Sequence, residues 1–316
     1  MYKRQILNEF IADLVNDQGV EIERMNIIAV GLSDDPRSGL TGGLYFADEA
    51  IMNMELITSL KKPTGFFDPS NPEGRGSKDL TKNEDEDKVV TTEKAARSLR
   101  SPMLSFSNTD MAFRDDLLVA GSYHGFNMYK IDKDGIPNLL SSIVCPGGQG
   151  DVSIVGDLLI MSVEQLRGRL DCGREGVGRD ASPERFRGIR IFDISDLSRP
   201  KQVGAVQTCR GSHTHSVVSG PSEDGKIIVY NSGTGSVRDE EELEQCIGNI
   251  PGDEKTALFR IDVIEIPISD PSKSKIVSSP AVFADLETGA LAGLWRGGDH
   301  GDETQDTSRT DQCHDI

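Results

Sequence analysis

The sequence predicts an all-β protein whose main domain is a β-propeller of four-stranded blades, and three observations support this prediction. From residue 107 onward, short β-branched runs alternate with turns rich in Gly, Asp and Pro, as in sandwiches and propellers. The apolar motif at 117–120 (LLVA) recurs at 158–161 and again at 227–230. Each copy is preceded by one predicted strand and followed by two, which gives four strands in a unit of about 40 residues, the pattern of propeller blades.

The repeats predict a partial propeller over residues 107–316, with three complete blades and the start of a fourth. The complete blades are expected at 110–144, 151–207 and 213–283, and the fourth begins at Gln312. Propellers close with about four to eight blades, so three blades do not complete a ring. A β-sandwich with chance similarity between its strands is the alternative that these patterns leave open.

Two segments precede the predicted propeller. Residues 1–66 are expected to form a short helical lead-in, because 6–16 and 41–61 carry apolar residues at helical spacing. The following stretch is rich in Asp, Glu, Lys, Ser, Gly and Pro and holds almost no apolar residues. Such a composition buries too little surface to offset the entropy of ordering. A flexible polar linker is therefore expected over 67–106.

Several segments resemble one known family of propellers. They are GFNMYKID, CPGGQGDVSIVGDLLIMSVEQ, RGIRIFDISDLSRP, QTCRGSHTHSVV, LWRGGDHGD and QCHDI. Together they resemble the LVIVD-repeat β-propeller proteins of bacterial surfaces and secretions, over about residues 30–316. The resemblance implies a propeller fold and an extracytoplasmic location, whether periplasmic, secreted or on the cell surface. It implies no particular reaction.

Both ends of the sequence have unusual features. Residues 1–5 (MYKRQ) resemble a translated transposon end of the kind used in sequencing libraries, and Ile316 falls inside a predicted strand. We therefore expect the chain to be truncated at both ends, with its signal peptide missing. An ordinary basic N-terminus is the alternative for residues 1–5.

The charge balance limits the classes of partner. The chain has 34 Lys and Arg against 52 Asp and Glu, a formal net charge of −18. Nucleic acid is not expected as a partner, because binding its backbone requires clustered basic residues. No transmembrane segment is expected either, because no apolar run approaches the roughly 20 residues that span a bilayer.

The predicted topology collects the long loops at one end of the propeller. In a four-stranded blade, the loop before the innermost strand and the loop between the second and third strands open at the same end. Three long insertions occupy such loops, at 164–187, 233–256 and 285–311, whereas the turns at the opposite end are minimal. Long loops on a rigid scaffold often bind ligands. A protein or small-molecule ligand is therefore expected on this end, here called the long-loop face.

All five histidines fall in loops at this end, and four of them are candidate metal ligands. His213 and His215 flank the start of an innermost strand, where residues two apart share a face. His314, with Asp315 beside it, stands at the matching point of the next blade. Imidazole and carboxylate together suit a divalent transition metal such as zinc, copper, iron or nickel, which is the candidate cofactor. The candidate ligand set is His124, His213, His215, His314 and Asp315.

Other interpretations of the polar residues stay open. The histidines, with Asp110 and Asp151 at matching positions, also fit hydrogen bonds between blades across the channel mouth. The acidic loop at 297–303 has oxygen ligands for calcium but lacks EF-hand spacing. Ser212 near His213 lacks the G-x-S-x-G elbow of a nucleophile. The glycines at 147–150 are not followed by a helix, so they do not predict a dinucleotide site.

The five cysteines contain no CxxC pair. Cys172 and Cys246 lie in the insertions of neighbouring blades, which emerge on one face. A Cys172–Cys246 disulfide is therefore predicted, and it would suit an oxidising, extracytoplasmic compartment. A Cys172–Cys209 bridge and free thiols are the alternatives.

Two functions are compatible with these features. The leading interpretation is a non-enzymatic extracytoplasmic or surface binding module that uses the long-loop face, because the sequence carries no catalytic motif. The alternative is a metal-dependent enzyme, an oxidase or hydrolase, with a His/Asp site at the mouth of the propeller channel. One strand and turn also resemble the selenium-binding-protein family, whose members look like metal oxidases.

Overall fold

A computed structural model describes residues 35–42, 47–63, 66, 108–174, 176–178, 180–247, 256–285, 287–288 and 313–316 of the chain. Within these ranges the protein is all-β, with twelve strands and a single 3-10 turn at Pro271–Lys273. The strands are β1 (Asn108–Arg114), β2 (Leu117–Ser122), β3 (Gly125–Ile131), β4 (Pro137–Val144), β5 (Gln149–Val155), β6 (Leu158–Val163), β7 (Gly188–Asp193), β8 (Lys201–Gln207), β9 (Thr214–Ser219), β10 (Lys226–Ser232), β11 (Asp262–Pro267) and β12 (Lys275–Ser278).

The strands form three antiparallel four-stranded sheets, ordered β1-β2-β3-β4, β5-β6-β7-β8 and β9-β10-β11-β12. The first strands of the sheets, β1, β5 and β9, lie beside one another in sequence order. They line an open groove of about 670 Å³, on the side where a closed propeller has its central channel. The sheets are therefore three blades of a β-propeller, at the positions that the repeat predicts.

The blades are held together by apolar side chains between their faces. β6 is apolar apart from Ser162 and is buried along its whole length, because sheets cover it on both sides. The first core cluster joins blades 1 and 2, where Phe126 meets Phe192 edge-on at 5.0 Å between ring centroids. The second joins blades 2 and 3 through aliphatic residues such as Ile191 and Ile264. Each fully buried side chain of this kind contributes about 1.5–3 kcal/mol.

The second strand of blade 1, β2, and the first strand of blade 2, β5, approach so closely that glycine is required. A Cβ atom on Gly121 would lie 1.9 Å from the carbonyl oxygen of Gly150. Gly150 itself has a φ of +81°, a conformation that disfavours other residues. These two glycines therefore set the spacing of β2 and β5 at the long-loop end.

The segment before the propeller differs from its prediction. The chain divides into two compact units, 1–59 and 60–316. In the first unit, residues 47–59 contain no helix, so the helix predicted over 41–61 is wrong for the described residues. Met52 and Met54 are 83% and 82% exposed. With no surface to pack against, an amphipathic face does not stabilise a short helix. The helix predicted at 6–16 and the linker predicted at 67–106 lie outside the described residues.

The described part of the chain contains no helix with the length and apolar character that a membrane-spanning segment needs.

Residues 313–316 lie beside blade 3, where the sequence predicts the start of a fourth blade. The hydroxyl of Thr214 donates to the carbonyl oxygen of His314 at 3.1 Å, and that of Ser232 donates to the same oxygen at 3.0 Å. The hydroxyl of Ser216 donates to the carbonyl oxygen of Ile316. These bonds bring β9 and β10 of blade 3, beside His213, into contact with residues 313–316.

Candidate functional site

The long-loop end collects side chains from blades 2 and 3 and from residues 313–316, because antiparallel strands alternate in direction. Asp151 is near the start of β5, Glu164 directly follows the end of β6, and His213 directly precedes β9. The end of one strand and the start of its neighbour meet at the same edge of a blade. His314 and Asp315 then run alongside β9. We call His213, His314 and Asp315, with the adjoining Glu164 and Asp151, the mouth site.

His213 is held by a carboxylate from the preceding blade. Its Nδ1 lies 2.8 Å from Glu164 Oε2, and its Nε2 lies 3.3 Å from the side-chain nitrogen of Gln149. The hydrogen bond to Glu164 raises the pKa of His213 above its usual value, against the opposing effect of partial burial. Burial raises the pKa of Glu164, but hydrogen bonds from His213 and Thr234 outweigh it and hold that pKa below its usual value.

Glu164 is anchored by the second insertion. Its Oε1 accepts hydrogen bonds from the Thr234 backbone N–H at 2.6 Å, the Thr234 hydroxyl at 2.8 Å and the Gly235 N–H at 3.1 Å. These donors leave Oε2 for His213. One carboxylate therefore joins the first insertion, the second insertion and the histidine of blade 3.

Three of the predicted metal ligands come together at this point. The His213 and His314 rings are 4.0 Å apart between centroids, and His314 Nδ1 lies 2.9 Å from Asp315 Oδ2. One ligand atom from each of His213, His314 and Asp315 lies within 4.8 Å of the others. His213 is mostly buried, whereas His314 and Asp315 are exposed. An ion at the solvent-exposed side of this cluster can therefore contact all three residues.

Carboxylates surround this cluster. Burial, together with the nearby charge of Asp110, raises the pKa of Asp151 to about 6. The charges of Asp315 and Glu164 act in the same direction, and that of His213 opposes them. Asp110 accepts a hydrogen bond from the Val152 N–H of the next blade at 3.0 Å. This is a hydrogen bond between blades, the alternative role that the sequence suggests for Asp110.

The other two predicted ligands lie elsewhere. His215 turns inward, where its Nδ1 is 2.8 Å from the Ser162 hydroxyl, and Ser162 is 2.7 Å from the Ser212 hydroxyl. Burial lowers the pKa of His215 to about 4. His124 is buried in blade 1, and burial, with the charges of Arg167 and Lys62, lowers its pKa to about 4. Neither residue belongs to the cluster of ligand atoms at the mouth site.

The first two insertions are joined through a buried ion triad. Glu242, in the second insertion, pairs with Arg185 of the first and with Arg238 Nε at 3.0 Å. It also accepts a hydrogen bond from the Ser182 N–H at 3.0 Å. The three charged side chains are at most 5% exposed. The insertions therefore form one packed layer over blades 2 and 3 in the described residues.

The predicted Cys172–Cys246 disulfide is wrong. The structure pairs Cys145 with Cys172 and Cys209 with Cys246, with Cα–Cα distances of 4.4 and 5.2 Å. Cys172 also does not pair with Cys209, and Cys313 is free. The reason is that each insertion folds back over the link that leads into its own blade. The partner of each insertion cysteine is thus in the same blade, and the bridge between blades is not formed.

Some predicted features fall outside the described residues. These are most of the third insertion, 285–311, and the acidic loop at 297–303. Glu164 was not recognised from the sequence, although it is the first residue after a buried strand at the long-loop end. Its role depends on Thr234 and Gly235, which only the folded insertions bring to it.

Comparisons with known proteins give no family and only distant structural similarities. No protein-family model and no curated protein matches the chain. Among solved structures, Sqt1 of Saccharomyces cerevisiae is similar with 10% identity and a TM-score of 0.35, covering 56% of this chain and 36% of that chain. Kuenenia stuttgartiensis hydrazine synthase is similar with 10% identity and a TM-score of 0.34, covering 56% and 37%. This chain thus spans well under half of either protein, and the similarity concerns the fold alone.

Proposed function

We propose that the chain is a non-enzymatic, extracytoplasmic binding module of the LVIVD-repeat propeller type, and that its long-loop face takes the ligand. The observation that carries the proposal is the construction of this face. Two long insertions are each fixed by a disulfide and are joined by the buried Glu242 triad. Loops that are ordered before binding lose less entropy on association. A rigid, shaped loop layer therefore suits recognition of a protein or small-molecule partner.

The proposed location rests on cysteine chemistry. Four of the five cysteines are paired in the structure. Structural disulfides persist in oxidising compartments and are rare where thiol reductants are abundant. The family resemblance favours the same location.

The binding proposal is tested by a thermal-shift screen with libraries of peptides, oligosaccharides and small metabolites. Ligands that raise the melting temperature are retested on Asp239→Arg, an exposed position on the second insertion. Asp116→Arg, exposed at the β1–β2 turn of the opposite end, is the matched control. We expect the insertion variant to lose the shift and the control to keep it. A ligand that still raises the melting temperature of Asp239→Arg but no longer raises that of Asp116→Arg would contradict the proposal.

A metal-dependent enzyme, an oxidase or hydrolase, is the second candidate, and the His213, His314 and Asp315 cluster favours it. Two imidazoles and a carboxylate are ligands for zinc, copper, iron or nickel. A bound ion of this kind supplies Lewis acidity or electron transfer. Elemental analysis of the purified chain tests the candidate. About one equivalent of a transition metal, lost in His314→Ala, is the expected result, and a metal-free protein of full stability would exclude it.

A further inference from the structure

The hydrogen bond between Glu164 and His213 fixes which nitrogen of the imidazole is available. Nδ1 lies 2.8 Å from a carboxylate oxygen, so in the neutral ring it carries the proton and donates. The lone pair is then on Nε2, which faces the side-chain amide of Gln149 at 3.3 Å. A cation that binds His213 therefore does so through Nε2, where it takes the place of the hydrogen bond from the Gln149 amide.

The carboxylate of Glu164 is itself held in place. Three donors from Thr234 and Gly235 converge on Oε1, and the side chain is only 15% exposed. A carboxylate fixed on one oxygen presents the other in a constant direction. The orientation of the His213 ring is thus set by the second insertion, through Glu164.

The charge of the surroundings favours a cation at the mouth. Asp151 lies within electrostatic reach of three further carboxylates, Asp110, Asp315 and Glu164, and of His213. The His314 ring packs against His213. Carboxylates brought together repel one another. A divalent ion at the exposed side of His213 would relieve this repulsion.

Resting on the metal site of the second candidate function, we propose that His213 Nε2, His314 and Asp315 bind one divalent transition-metal ion and that Glu164 is the positioning residue that orients His213 for it. A carboxylate that accepts the second N–H of a histidine fixes the ring and increases its basicity as a ligand. Two imidazoles select a transition metal over calcium or magnesium, which prefer oxygen ligands. The ion would replace the direct contact between His314 Nδ1 and Asp315 Oδ2.

The probe is Co²⁺, added to the purified chain after treatment with EDTA. Its affinity is measured by calorimetric titration, and its visible absorption spectrum reports the ligands and their geometry. The variants are His213→Ala, Glu164→Ala and Glu164→Gln, which keeps an oxygen acceptor for Nδ1. Glu240→Ala, an exposed glutamate of the second insertion, is the matched control. Circular dichroism in EDTA verifies that each variant is folded.

We expect Co²⁺ binding to be lost in His213→Ala and unchanged in Glu240→Ala. Glu164→Ala should weaken binding by about 10–100-fold and alter the spectrum, and Glu164→Gln should recover part of the loss. If the original chain binds no Co²⁺, or His213→Ala binds it equally well, the metal site is overturned. If His213→Ala abolishes binding while both Glu164 variants keep the original affinity and spectrum, only the positioning role is overturned.

Discussion

The histidines of this chain differ in ionisation because their neighbours differ. His213 meets a carboxylate, which raises its pKa, whereas burial lowers the pKa of His124 and His215 to about 4. The two buried rings stay neutral in the folded state at pH 5, whereas in the unfolded chain they would be protonated below about 6.5. The free energy of unfolding therefore decreases as the pH falls from about 6.5 to about 4, because the unfolded chain takes up protons that these buried rings do not.

Asp151 offers a test of the mouth site in the absence of metal. Its folded pKa is about 6, above the ordinary 3.8, so the folded state holds this proton more tightly than the unfolded state does. Ionisation of Asp151 consequently costs stability as the pH rises from about 4 to about 6. We expect Asp151→Asn to raise the melting temperature above pH 6 and to have little effect below pH 4, in melts recorded with EDTA.

The control for this prediction is Asp116→Asn, which removes an exposed carboxylate at the opposite end. Its melting temperature should follow that of the original chain throughout. A destabilised Asp151→Asn at pH 8 would mean that the charge of Asp151 is compensated in the folded protein.

At the scale of single residues, the sequence predicts only part of the site. His213, His314 and Asp315 were predicted from their matching positions at strand starts, which the repeat defines. The rule that residues two apart share a face holds only within a strand. His213 precedes β9, so the rule does not place His215 beside it. Glu164 required knowledge of how the insertions fold, and no local pattern contains that information.

At the scale of the loops and strands, Glu242 holds the long-loop layer together. Replacing it by Gln leaves Arg185 and Arg238 buried without a counter-charge. Breaking a buried ion network in this way costs about 3–5 kcal/mol. We expect Glu242→Gln to lower the free energy of unfolding by about this amount and to increase hydrogen exchange in both insertions. Glu241→Gln, at an exposed neighbouring position, should match the original chain in both measurements, and equal behaviour of the two variants would contradict the prediction.

The disulfides fix each insertion to the link before its own blade. Replacing both Cys145 and Cys172 by Ser releases a closed loop of 27 positions, which costs about 2–4 kcal/mol. Denaturant unfolding under non-reducing conditions should show this loss, whereas Cys313→Ser should unfold like the original chain. A stability loss in Cys313→Ser and none in the double variant would show that the native pairing is different.

Some elements were predicted correctly and others were not, and the difference has a physical cause. The strands follow from alternation and from the repeat, which is why all three blades were located. The disulfide pairing could also have been predicted from the sequence. Cys145 and Cys209 precede the matching strand-start residues Asp151 and His215 by the same interval. Aligning the repeats would have placed both cysteines in equivalent links. The helix over 41–61 was predicted from periodicity alone, and periodicity does not supply a surface for the apolar side to pack on.

At the scale of the whole molecule, the formal charge of −18 acts against the folded state. Like charges are closer together in a compact chain than in an unfolded one. Raising the ionic strength from about 0.01 M to about 0.1 M shortens the Debye length from about 30 Å to about 10 Å. We expect the melting temperature to rise with NaCl over this range at pH 8. A melting temperature that falls would show that attractive surface pairs outweigh the net repulsion.

The two disulfides join cysteines in the order in which they occur, Cys145 with Cys172 and then Cys209 with Cys246. A chain is synthesised from its N-terminus, and domains begin to form as it emerges. The first pair is therefore complete before either cysteine of the second has been made, and Cys313 comes last. Oxidation in order of appearance gives the native connectivity directly. In an oxidising compartment that the chain enters N-terminus first, the native bridges can thus form in this order, without the slow thiol exchange that corrects non-native bridges.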